Sequence, residues 1–91
     1  MIDDDSYAKL QQALNEDPEL GDLIRASGGI RKVRWNLEHT GKSGGIRVIY
    51  YYFDNEGQIF MLLAYPKSVK DNLTDRELTV LRKLVEELKN V

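Results

Sequence analysis

Two apolar runs of eight residues, Ile46 to Phe53 and Gln58 to Tyr65, are separated by only four residues. No other feature limits the fold as much. Ile46, Val48, Ile49, the three tyrosines Tyr50 to Tyr52 and Phe53 are β-branched or aromatic, which suits a pleated, packed surface. The intervening Asp54-Asn55-Glu56-Gly57 reads as a turn, with Gly57 able to supply a positive φ. Arg47 is the one charge in the first run, so that strand should be apolar on both faces and central. A third strand, Ile30 to Leu37, alternates. Val33, Trp35 and Leu37 point one way, and Lys32, Arg34 and Asn36 point the other. The short connections make these three strands an antiparallel meander.

Helical patterns flank the meander. Tyr7, Leu10, Ala13 and Leu14 form an apolar stripe on a helix predicted over Ser6 to Asn15. Asp17 can cap a second, short helix from Pro18 to Ile24, in which Leu20, Leu23 and Ile24 would be buried. Ser27-Gly28-Gly29 should end the helical region. Thr74-Asp75-Arg76-Glu77 reads as a capping box that starts a last helix. Leu78, Leu81, Leu84, Val85 and Leu88 lie along one face of it, and that face suits a core better than a partner seam. The order is α-α-β-β-β-α. A single α+β domain over residues 1–91 is expected, a three-stranded meander with two N-terminal helices and one C-terminal helix.

Composition removes several chemistries. The 91 residues include no cysteine, so neither a disulfide nor a thiolate site is available. A single histidine, His39, rules out a multi-histidine metal site within one chain, and no metal or cofactor is expected. No apolar run reaches the ~20 residues of a membrane helix. The acidic start, Met1-Ile2-Asp3-Asp4-Asp5, lacks the order of a secretory signal. A soluble cytoplasmic protein with no membrane contact is the expectation. The net charge of −2 hides an asymmetry. Residues 1–24 hold seven acidic side chains and one basic, whereas residues 25–50 hold six basic and one acidic. Such a split marks either a nucleic-acid surface or an ordinary solvated face.

Gly41-Lys42-Ser43 has the ending of a nucleotide-binding P-loop, but its surroundings do not fit. The earlier glycine of that motif would fall at Asn36, and a strand rather than a helix follows Gly44-Gly45. The stretch reads instead as a glycine-rich link between antiparallel strands. The basic residues still need a reason. Neighbouring strands can gather Lys32, Arg34 and Arg47 on one face, with Lys42 on the loop and Lys67 and Lys70 after the third strand. An arginine in a two-sided apolar strand is costly unless paired, for example with Asp54 or Glu38, or functional.

Three stretches carry a resemblance: Gly28-Gly29-Ile30-Arg31-Lys32-Val33-Arg34, Gly41-Lys42-Ser43-Gly44-Gly45-Ile46-Arg47-Val48-Ile49-Tyr50-Tyr51, and Tyr65-Pro66-Lys67 with Leu73-Thr74. In order and spacing they resemble the HigB branch of the RelE-like toxins of bacterial type II toxin–antitoxin pairs, over roughly residues 6 to 88. The resemblance implies a small α+β fold around an antiparallel sheet. It implies a metal-independent endonuclease that cuts mRNA on the ribosome and so inhibits translation. It also implies a cognate helix-turn-helix antitoxin. Relative to the family pattern the sequence lacks the first strand. That would leave a sheet edge for a second copy, an antitoxin segment or a swapped element.

Residue by residue, the resemblance assigns catalysis to Lys32, Arg34, Arg47 and Lys67. Arg47 would stabilise the transition state. Lys32 or Arg34 would position phosphate, with proton transfer open to Lys32. Lys67 would contact phosphate or assist the leaving group. Arg31, Lys42, Tyr65 and Lys70 would bind RNA, with Tyr65 either stacking on a base or packing in the sheet. His39 could act as acid or base or simply be solvated, and the general acid has no assigned residue. The alternative to an endonuclease is an inactive or truncated toxin-like module that binds antitoxin or RNA without cutting.

Overall fold

The computed structural model describes residues 4–36, 45–53, 57–67, 69 and 72–90. Helix α1 spans Asp4–Glu16 and strand β1 Asp22–Leu23. Strands β2 (Ile30–Trp35), β3 (Ile46–Phe53) and β4 (Gln58–Pro66) follow, and helix α2 (Asp75–Lys89) closes the order. The strands form one antiparallel sheet in the order β1-β2-β3-β4. The meander is therefore present as expected, extended by a fourth strand.

The two faces of β3 explain the burial of both helices. Ile46, Val48 and Tyr50 face one side, where they join Val33 with Leu10 and Leu14 of α1. Ile49 and Tyr51 face the other, where they join Ile30 and Tyr65 with Leu81 and Val85 of α2. A strand apolar on both faces thus has a helix over each face. A fully buried leucine such as Leu10 or Leu14 contributes about 1.5–3 kcal/mol. Helix α2 begins where the capping box places it. The Thr74 hydroxyl accepts from the Glu77 N–H at 3.1 Å, and the Glu77 carboxylate accepts from the Thr74 N–H at 2.9 Å. Leu84, expected in the core stripe, is 40% exposed. No helix among the described residues is long and apolar enough to cross a membrane.

The helix expected over Pro18 to Ile24 does not form. Asp17 does act locally: its Oδ1 accepts from the Glu19 N–H at 3.2 Å, and its carbonyl accepts from the Leu20 N–H at 3.0 Å. That closes a turn. Beyond it the backbone groups needed by a helix are taken by distant side chains. Tyr50 donates its hydroxyl to the Pro18 carbonyl at 2.9 Å and accepts from the Gly21 N–H at 2.8 Å. Arg31 Nη1 donates to the Gly21 carbonyl at 2.8 Å. The chain then runs extended as β1, pairing Asp22 with Lys32 and Leu23 with Arg31. Leu20 and Leu23, expected to be buried, are exposed. Ser27-Gly28-Gly29 lies in the β1–β2 turn, where Ser27 Oγ donates to the Ile24 carbonyl and accepts from the Ile30 N–H.

Burial pushes the Tyr50 phenol above its ordinary pKa of 10.0; its bond from Gly21 and the Arg31 charge oppose this more weakly. An unfolded chain therefore ionises this group first as pH rises. Its contribution is fully present below about pH 10 and is lost as pH climbs through the folded value. Tyr50→Phe should cost about 1–3 kcal/mol at pH 8, because the Gly21 N–H loses its partner. Urea unfolding at about pH 8 and about pH 10.5 should show a smaller alkaline loss in the variant than in the parent.

Candidate active site

Lys32 and Arg34 lie two residues apart on β2 and so share a face. Arg34 stands directly opposite Arg47 of β3, and Arg47 in turn stands opposite Tyr65 of β4. The sheet register thus puts Lys32, Arg34, Arg47 and Tyr65 on the α2 side. There an open cleft of about 210 Å³ is lined by Asp22, Lys32, Arg34, Arg47 and Asn72. Arg47 is 4% exposed, whereas Arg34 is exposed. The cleft therefore has a deep guanidinium and a solvent-facing one in adjacent strands.

The remaining two lining residues were not singled out in the sequence. Asn72, just ahead of the α2 cap, accepts from Lys32 Nζ at 2.8 Å through Oδ1 and fixes where the ammonium sits. Asp22 is the cross-strand partner of Lys32 on β1. Among the described residues no group of three or more histidine, aspartate or glutamate side chains is placed to hold a metal.

Other sequence candidates fall elsewhere. Arg31 projects from the opposite face of β2. Its guanidinium reaches the Glu19 carboxylate at 3.5 Å and the carbonyls of Glu19 and Gly21, so it braces the chain that leads into β1. Tyr65 is buried in the α2-side cluster, the packing alternative of its two readings. Lys67 is exposed just beyond β4, where its N–H meets the Gly45 carbonyl at 3.5 Å. That is the end of the sheet where β3 begins, so Lys67 shares an end with Arg47 but does not line the cleft. Lys42, Lys70 and His39 lie outside the described residues, as do Asp54 and Glu38, the partners considered for Arg47.

Arrayed this way, the cleft suits a bound anion. Lys32, Arg34, Arg47 and the Asp22 carboxylate line one opening, with Arg34 and Arg47 opposed across neighbouring strands. Ammonium and guanidinium groups so placed can meet a phosphate through charge-assisted hydrogen bonds. A family model described as the RelE toxin of the RelE/RelB toxin–antitoxin system matches residues 5–91. With α2, all four strands, all of α1 but its first residue and every residue of the cleft inside that match, the chain belongs to the RelE toxin family.

Proposed function

We propose that this protein is a HigB-branch toxin that cuts mRNA on the ribosome without a metal and is neutralised by a helix-turn-helix antitoxin. The observation that carries the reading is the register pair Arg34–Arg47, with Lys32 beside it in one open cleft. In such cleavage the RNA 2′-hydroxyl attacks the adjacent phosphorus. Negative charge gathers on the phosphoryl oxygens as the bond to the 5′-oxygen breaks. Fixed cations in a partly desolvated site are strongest where that charge develops. Arg47 is the buried member and takes the transition-state role. Arg34 and Lys32 position the phosphate, and Lys67 contacts the RNA strand nearby. The outer edge of β4, which pairs only with β3 among the described residues, offers the antitoxin or a second copy a place to add a strand.

Purified protein should cut mRNA on programmed ribosomes and leave the same RNA intact when ribosomes are omitted. Its expression without antitoxin should arrest growth in the cytoplasm where translation proceeds. Intact mRNA in the ribosome assay, together with capture of a helix-turn-helix partner, would replace this reading with an inactive binding module.

A further inference from the structure

We infer that Asp22 accepts the proton of the attacking 2′-hydroxyl in this cleft; the inference rests on the endonuclease reading above. Asp22 stands opposite Lys32 in the ladder and lines the cleft together with Lys32, Arg34, Arg47 and Asn72. Its carboxylate opposes the binding of any phosphate there, so a bystander at this position would weaken the site.

The proton inventory of the cleft singles it out. Arg34 and Arg47 are guanidinium donors that proteins do not deprotonate. Lys32 Nζ is engaged as a donor to Asn72 Oδ1 at 2.8 Å. That same bond occupies the carbonyl oxygen of Asn72. Among the described residues lining the cleft, Asp22 is the one that carries a carboxyl group. It is exposed and so open to substrate. Its backbone is nonetheless anchored, because the preceding Gly21 is held by the Tyr50 hydroxyl on its N–H and by Arg31 on its carbonyl.

The step balances without a further reactant other than water. Asp22 takes the 2′-hydroxyl proton as the 2′-oxygen bonds to phosphorus. The bond from phosphorus to the 5′-oxygen breaks, and that oxygen takes a proton from water. A 2′,3′-cyclic phosphate and a 5′-hydroxyl end result, and protonated Asp22 returns its proton to solvent.

The test is cleavage by full-length protein on programmed ribosomes, with ribosome binding and thermal melting measured alongside. Asp22→Asn should slow cleavage by about 10²-fold or more. Binding should stay equal or tighten, because a negative charge is removed from a phosphate site. Asp22→Glu, which keeps the carboxylate, should recover part of the rate. A substrate whose scissile 5′-oxygen is replaced by sulfur needs no proton on its leaving group, and Asp22→Asn should remain slow on it. Cleavage by Asp22→Asn within about threefold of the parent would overturn the inference. So would a rate restored by the sulfur substrate, or a loss of cleavage matched by a loss of binding or of folding in both variants. A parent protein that leaves mRNA intact would overturn the endonuclease reading itself, before Asp22 is tested.

Discussion

Arg47→Met should lower mRNA cleavage on the ribosome by about 10²–10³-fold and leave a folded protein. Methionine keeps an unbranched stem of similar reach while removing the guanidinium. Arg47 is 4% exposed and flanked in the ladder by Arg34 and Tyr65, so the stem contributes packing and the head contributes charge. The two contributions separate in this variant, whereas Arg47→Ala would confound them. Arg47→Lys tests a different point. It keeps a positive charge but loses the planar fork that matches two phosphate oxygens, so it should recover only part of the rate. Cleavage by Arg47→Met at the parental rate would remove Arg47 from the reaction. The anchor of the cleft would then have to be sought in Arg34 and Lys32. In cells the same variant should no longer arrest growth when expressed without antitoxin.

Residues whose character is set locally were legible in the sequence. The bounds of β3 follow from an eight-residue run of β-branched and aromatic side chains, and the start of α2 follows from Thr74 and Glu77 three residues apart. The segment from Pro18 to Ile24 was not legible, because its local signals point to a helix cap and the outcome is decided elsewhere. Tyr50, nearly thirty residues away, and Arg31 claim the backbone of Pro18 and Gly21. Strand β1 has two residues, too few to show any alternation. The extra residue in β4 opposite Ile49 and Tyr50 likewise leaves no trace that distinguishes Leu62 or Leu63 from its neighbours.

The candidate site divides the same way. Arg47 stood out because it is the one charge in an apolar run, and Lys32 and Arg34 because they alternate with Val33 and Trp35. Arg31 differs from Lys32 by one position only, and in a strand one position means the other face. Its role in bracing the Glu19–Gly21 backbone depends on where that chain crosses the sheet. Asp22 and Asn72 belong to the cleft through contacts that no spacing encodes. One arrives with a strand that looked like a helix, and the other is forty residues from the lysine it holds.

Gly21→Ala should be strongly destabilising. A Cβ at Gly21 would stand 2.8 Å from the Lys32 carbonyl oxygen and 2.9 Å from both Cε1 and the hydroxyl of Tyr50. Neither neighbour can give way cheaply. The carbonyl belongs to β2 within the sheet, and Tyr50 is fully buried against α1. Overpacking of this kind costs about 1–3 kcal/mol. Displacing the Tyr50 hydroxyl from the Gly21 N–H would add about 1–3 kcal/mol for the orphaned donor. Against a typical total of about 5–15 kcal/mol the sum is large, and the urea midpoint should fall accordingly. The two terms are separable. In a Tyr50→Phe background the hydroxyl is already gone, so adding Gly21→Ala should cost less than it does in the parent. The clash with the Lys32 carbonyl persists there, so the cost should not vanish. Full additivity of the two changes would mean that Tyr50 and Gly21 do not act as a unit. The same displacement would move Asp22 off its partner Lys32, the next rung of the ladder. Gly21→Ala should therefore lower ribosome-dependent cleavage by more than its folded fraction alone accounts for.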